Sequence, residues 1–318
     1  MRESTPKPIC PKCGYDQSGE IATWESQCPV HGVCSECGIR FQWIEVFRPA
    51  MHDLPWYAEH GRSIRSRLWR TPGTLRRLIL PHQFWAQLGV TKRISVWGLC
   101  VWLLLIMLGM HLLIAIPAGW SRWDSRNWQG LSLDQYFMSY GYYGYAQILF
   151  DGIAHPFFYA LPNSAGYIVS LDVYRSTWLN SMTMYHQFLR PMGVQVGFVI
   201  TWIIVLFAIP QTRRLAKIRT GHLARAAILS MFAVVFSYEM HKLFNAMHGS
   251  GGLTRMLIEQ IEPLFSLSMI IWQIAFWACA IVIGWRVEQW KLLVTLGTIA
   301  AILGGVTFRV YIFIMASS

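Results

Sequence analysis

Residues 94–117 read I-S-V-W-G-L-C-V-W-L-L-L-I-M-L-G-M-H-L-L-I-A-I-P. His111 and the Cys100 thiol are the only ionisable groups in these 24 residues. As a helix the run extends about 36 Å, enough to cross a hydrocarbon core about 30 Å thick. The rest of the chain agrees with this segment. Of 318 residues, 54% are hydrophobic and 14% charged, with a mean hydropathy of +0.36; ordinary globular domains are about 25% charged. Sixteen tryptophans and thirteen tyrosines add rings that favour the membrane interface. An integral membrane protein is expected. Residues Met1 to Ile9 lack the apolar core of a signal peptide.

Four further apolar runs follow, at 193–210, 223–248, 264–285 and 292–315. Their sidedness follows from charge. Residues 59–93, just before the first run, carry Arg62, Arg65, Arg67, Arg70, Arg76, Arg77, Lys92 and Arg93 against the single acid Glu59. The next basic stretch, Gln211 to Arg225, reaches into the start of the third run and carries Arg213, Arg214, Lys217, Arg219 and Arg225 with no acid. Basic loops stay cytosolic, so an even number of crossings separates the two clusters. The expectation is five spans in the cytoplasmic membrane, with the N-terminus cytosolic and the C-terminus exoplasmic. Residues 118–192 are then external. Their aromatic part, 142–168, is interrupted by Asp151, His155, Pro156, Pro162 and Asn163, and reads as a re-entrant or interfacial cap.

The fold class is therefore mainly α: a polytopic membrane helix bundle with interfacial helices and a small head at residues 1–48. Residues 49–58, with Pro49 and Pro55, read as a linker. Basic amphipathic helices fill the remainder up to residue 93, with a break at Thr71-Pro72-Gly73 and a third helix carrying Phe84, Trp85 and Leu88 on one side. Apolar residues opposite arginines suit a helix lying among lipid headgroups, so anionic lipid is the expected partner and nucleic acid is not. Gly297, Ala301 and Gly305, with Ala280 and Gly284, are small residues at four-residue steps that let helices approach closely.

The head carries the sharpest motif. Cys10-Pro-Lys-Cys13-Gly14 and Cys34-Ser-Glu-Cys37-Gly38 are two Cys-x2-Cys turns. In each turn the glycine allows a left-handed backbone just after the second thiol. Two such turns complete a tetrahedral four-thiolate site, which points to zinc. Cys28 and His31 form a Cys-x2-His step near the second turn and are alternative ligands. Ile39 to Ile44 alternates apolar and polar residues, as a short strand over the metal would.

The C-P-K-C-G-Y-D opening, the later C-S-E-C-G, and Phe41 and Trp43 resemble the short zinc ribbons that head many bacterial multi-pass membrane proteins. The resemblance covers residues 10–48 and implies a zinc-binding docking or regulatory head. It implies nothing about the bundle.

A second candidate site is dispersed. By the topology above, His111 lies roughly 26 Å beyond the cytosolic end of the first span. His155, His186, Glu239, His241 and His248 share its outer layer, and ionisable groups at membrane depth are functional candidates. No zinc-protease, nucleophile-elbow or phosphate-loop motif stands in a suitable context. The leading expectation is a non-enzymatic adaptor, assembly or regulatory subunit with a protein partner or a second copy of itself. The alternative is a membrane enzyme or transporter subunit that uses the His/Glu layer.

Overall fold

The computed structural model describes residues 8–48, 51, 53–126, 153, 190–208, 218–248 and 252–317. It is mainly helical, with one two-stranded sheet near the N-terminus. The head contains α1 (Ser18–Ile21), β1 (His31–Val33), β2 (Arg40–Gln42) and α2 (Trp43–Phe47). A 3-10 turn at Ala58–His60 leads to α3 (Ile64–Leu78) and α4 (Pro81–Gln87). The long helices are α5 (Val96–Arg126), α6 (Arg190–Ala208), α7 (Thr220–His248), α8 (Gly252–Cys279) and α9 (Trp290–Ser317). Among the described residues, α5, α7, α8 and α9 are long and apolar enough to cross a membrane, whereas α6 is apolar only over Met192–Phe207. The expected external segment begins inside α5, which continues through Pro117 to Arg126. One proline in a long helix removes a single backbone hydrogen bond and need not end it. The expected cap at 142–168 lies outside the described residues, apart from Ile153.

Contacts divide the chain into two compact units. The first comprises residues 1–103, 202–230 and 272–300. Its core is aromatic. Trp202 stacks on Trp277 with ring centroids 5.4 Å apart, Trp277 meets Trp285, and Trp285 meets Trp85. Glycines make the slots: a Cβ on Gly284 would lie 2.7 Å from Trp85, and one on Gly297 would lie 2.4 Å from Trp202. The composition suggested tryptophans at the membrane interface, yet Trp43, Trp85, Trp102, Trp202, Trp277 and Trp285 are fully buried. Large flat rings opposite glycine bury more apolar area than they would at a wet surface. A π-helical turn, Ala280–Gly284, ends α8 where Trp85 enters.

Two sequence expectations in this unit are corrected. The expected linker at 49–58 ends in the core, since Tyr57 and Ala58 are fully buried. The expected break at Thr71–Gly73 does not occur, and α3 runs through Pro72. Three contacts outweigh the proline's lost hydrogen bond. Thr74 Oγ1 accepts from the Ala58 N–H at 2.9 Å, Trp102 Nε1 donates to Thr71 Oγ1 at 3.1 Å, and Trp272 Nε1 donates to the Leu78 carbonyl at 3.2 Å. Gly73 lets this stretch pass close to Trp56, since a Cβ there would lie 3.0 Å from it.

The same unit contains a buried ion pair. Arg225 of α7 donates to Glu59 through Nε at 2.8 Å and Nη2 at 2.9 Å, and both residues are at most 1% exposed. The Arg93 carbonyl accepts from Arg225, and the Ser95 N–H donates to Glu59. His60 accepts from the Leu54 N–H at Nδ1 and sets Nε2 against the Arg93 carbonyl. This arrangement suits a neutral ring, and burial lowers the His60 pKa.

The second unit comprises residues 104–201, 231–271 and 301–318. There α6 and α9 cross at backbone range. A Cβ on Gly197 would lie 2.9 Å from the Gly305 Cα, and one on Gly305 would lie 2.6 Å from the Val194 carbonyl. Of the small residues expected from sequence, Gly305 thus serves close helix approach, whereas Gly284 and Gly297 receive indole rings. In this unit α7 reaches α6 through Gln195–Ser237 (2.8 Å) and α8 through Phe236–Phe265 and Phe244–Phe265.

Glu59→Ala leaves Arg225 charged, buried and unpaired, and is expected to destabilise the protein by about 3–5 kcal/mol. Arg62→Ala, at an exposed position, is expected to stay within about 0.5 kcal/mol. Thermal unfolding of the detergent-purified protein distinguishes the two.

Candidate metal centre

Each Cys-x2-Cys turn is built by the same two backbone hydrogen bonds. In the first, the Cys10 N–H donates to the Tyr15 carbonyl at 2.8 Å and the Gly14 N–H to the Cys10 carbonyl at 2.9 Å. In the second, the Cys34 N–H donates to the Ile39 carbonyl at 3.0 Å and the Gly38 N–H to the Cys34 carbonyl at 2.8 Å. The glycines have φ of +80° at Gly14 and +66° at Gly38, the left-handed conformation their position predicts. Flanking pairs repeat too: Ile9 bridges Asp16, and Val33 pairs with Arg40.

The two turns face each other. Cys10 Sγ lies 3.7 Å from Cys37 Sγ, Cys13 Sγ lies 3.7 Å from Cys34 Sγ, and all four sulfurs fall within 4.8 Å of one another. Cys10 and Cys34 are buried, and Cys13 and Cys37 are half-buried. Gln17 Nε2 donates to Cys34 Sγ at 3.2 Å. Burial pushes the Cys10 thiol well up and Cys13 up to about 11. At Cys34 burial also raises the pKa, but the Cys37 and Glu36 N–H groups and neighbouring thiols outweigh it and bring it down to about 7. The four thiols are close enough together to hold one metal ion. The alternative ligands are outside it: Cys28 is exposed with Sγ against the Pro29 carbonyl, and His31 is an exposed residue of β1.

The fold of the head follows from placing these turns. β1 and β2 pair antiparallel, with Gly32 opposite Phe41. The expected strand at 39–44 is shorter, because Gln42 and Glu45 start α2: the Gln42 N–H donates to Glu45 Oε2 at 3.3 Å. Phe41 and Trp43 are buried beside Cys10 and Cys34. Trp24 covers Trp43 edge-on at 4.7 Å. The first turn is also fixed to α7. The Arg219 N–H donates to the Lys12 carbonyl at 3.0 Å, and His222 Nε2 lies 3.1 Å from the Pro11 carbonyl. Sequence reasoning missed both contacts, because a backbone carbonyl carries no residue signature.

The dispersed His/Glu layer comes together in part. His111 Nδ1 lies 3.2 Å from Glu239 Oε1 and 2.9 Å from Lys242 Nζ, and Lys242 Nζ lies 3.2 Å from Glu239 Oε2. His111 Nε2 lies 2.7 Å from the Ile153 carbonyl. Glu239 and Lys242 are at most 5% exposed. Lys242 therefore belongs to the cluster, although its i,i+3 spacing from Glu239 suggested only a local pair. His241 instead faces Glu262 of α8 at 2.7 Å. His248 ends α7, and its side chain is outside the described ones. His155 and His186 lie outside the described residues. Among the described residues only the four cysteines form a metal-sized group.

The expected lipid-facing cations divide into two sets. Arg62, Arg65 and Arg76 are exposed. Arg77 lies over the Trp56 ring at 4.4 Å and donates to Gln87 Oε1, and Arg70 donates to the Leu54 carbonyl at 3.4 Å. Arg67 and Arg93 are half-buried, and Lys92 reaches Glu45 at 4.0 Å.

The chain matches no protein-family model, no curated protein and no solved structure. The chemistry of the head therefore rests on its own geometry. Cys10→Ser or Cys34→Ser is expected to abolish metal retention and loosen the head, while Cys28→Ser and His31→Ala leave the metal content unchanged. Elemental analysis of the four purified variants tests the assignment.

Proposed function

We propose that the four thiolates hold zinc as a closed structural site, and that the head is an assembly or regulatory device on the cytosolic face of a multi-pass membrane protein. The observation that carries this reading is the 3.7 Å separation of the paired sulfurs. Four sulfurs about 2.3 Å from a central zinc lie roughly 3.8 Å apart at the edges of a tetrahedron. With thiolates at every vertex, a zinc ion has no position for a reacting water, so the site stabilises rather than catalyses. Zinc binding supplies about 10–16 kcal/mol in small zinc peptides, enough to hold a head with so small a core.

The likeness to ribbon-headed bacterial membrane proteins points the same way. Cytosolic placement draws support from the basic residues on either side of the first two apolar runs. A head fixed to the start of α7 by the Pro11 and Lys12 carbonyls can pass a partner's binding, or loss of its metal, to that helix. An adaptor or regulatory subunit is the role that uses these features.

A second reading, a membrane enzyme or transporter subunit, has one observation in its favour. Glu239, Lys242 and His111 share a buried site on helices long enough to span a bilayer. Buried charges at that depth are conventionally part of a proton or ion path.

Elemental analysis of the full-length protein separates the two. One zinc per chain, retained in His111→Ala and Glu239→Gln, is the outcome expected for the adaptor. A second metal lost in either variant would favour the enzyme or transporter. Arg40 and Arg48 are already exposed in the folded head; chelation is expected to unfold the head and free the backbone around them for trypsin, and the same cleavage pattern with and without chelator would overturn the structural role.

A further inference from the structure

We infer that the outward face of α3 is a docking surface for the headgroups of anionic phospholipid. On a helix of 3.6 residues per turn, Ile64, Arg65, Leu68, Trp69, Pro72 and Arg76 fall on one face, and all six are exposed. The large apolar side chains are well exposed: Trp69 by 77%, Ile64 by 55% and Leu68 by 48%, with Ile79 just beyond the helix end at 64%. Such a run of exposed apolar side chains requires a covering surface. The opposite face is already occupied, with Thr74 and Leu78 buried and Arg77 over Trp56.

Charge selects the occupant. Arg62, Arg65 and Arg76 are exposed, and no acidic residue occurs between Gly61 and Ser95. The nearest acid, Glu59, is buried in its pair with Arg225 and cannot neutralise them. Arginines interleaved with aliphatic and indole side chains fit phosphate oxygens above and acyl chains below.

Position agrees with charge. The two indoles that hold α3 belong to membrane-length helices: Trp102 of α5 bonds Thr71, and Trp272 of α8 bonds Leu78. These bonds hold α3 against two membrane-length helices. Trp97, near the start of α5, is 75% exposed, and an exposed indole there favours the boundary between headgroups and acyl chains. The inference needs α5 and α8 to cross a membrane, but it does not depend on which metal the head holds.

The test uses the full-length protein with Cys28→Ser and Trp69→Cys, carrying a nitroxide at position 69, in nanodiscs. One set of discs is phosphatidylcholine alone and the other includes phosphatidylglycerol; the signal of Cys28→Ser without Trp69→Cys is subtracted. Relaxation by oxygen is expected to exceed relaxation by a water-soluble nickel chelate, and the excess is expected to grow when phosphatidylglycerol is present. Arg62→Gln, Arg65→Gln and Arg76→Gln combined are expected to remove that lipid-dependent increase while keeping the metal content, which reports that the head is still folded. A probe relaxed mainly by nickel in both discs would overturn the inference and indicate a face left for a protein partner. Equal burial in both lipids, unchanged by the triple variant, would overturn the anionic selectivity.

Discussion

The Glu59–Arg225 pair is the constraint on which the first unit depends. Neither residue can be in that position alone, because a single buried charge is several kcal/mol unfavourable. Together they fix one relation among three segments far apart in sequence: the 3-10 turn at Ala58–His60, the Arg93–Ser95 entry to α5, and the first turns of α7. An apolar replacement of similar volume can give equal stability, but it would not set the same register. The bidentate fork accepts one orientation, while aliphatic surfaces slide past each other. Around it the aromatic core can then be assembled from rings and glycines, whose packing depends on that register being right.

The head adds a second fixed point on the same helix. Its two turns repeat one hydrogen-bond pattern, so the sequence spacing of each needs only four residues and a glycine to place two sulfurs. The loop between them, with Cys28 and His31, is free of that requirement and lies outside the metal group. What ties the head to α7 is backbone: the carbonyls of Pro11 and Lys12, which lie between Cys10 and Cys13. The geometry of the thiols and the docking geometry are therefore set by the same turn. A change in the four-thiol cluster alters the surface that meets Arg219 and His222.

This explains which parts were legible in the sequence. The two cysteine turns were, since a Cys-x2-Cys-Gly turn is local and its geometry follows from five residues. The long helices were, since apolar length is also local. Glu59 and Arg225 were not, because they are 166 residues apart and Arg225 counted only among the basic residues that set sidedness. Yet a signal existed: Glu59 is the one acid in an otherwise basic stretch, and Arg225 lies near the start of an apolar run. Isolated opposite charges in apolar surroundings are each implausible unless they meet. The helix through Pro72 was illegible for a different reason. Local propensity disfavours it, and the contacts of Thr71, Thr74 and Leu78 with distant residues overrule the propensity.

The same logic accounts for α7, the least apolar of the four membrane-length helices. It carries Arg225 near one end and Glu239 and Lys242 near the other, which by composition makes it the weakest span. It is also the most enclosed: half of its most apolar stretch is buried, against 22–33% for the other three. The two facts have one cause. A helix facing lipid must be apolar around its exposed arc, because lipid satisfies no polar group. One enclosed by protein can hold charges wherever a neighbour supplies the partner. In the first unit α7 has Glu59 for Arg225; in the second it has His111 beside Glu239 and Lys242, Glu262 beside His241, and Gln195 beside Ser237. Low hydropathy in a membrane-length helix here follows from the partners that each unit supplies to it.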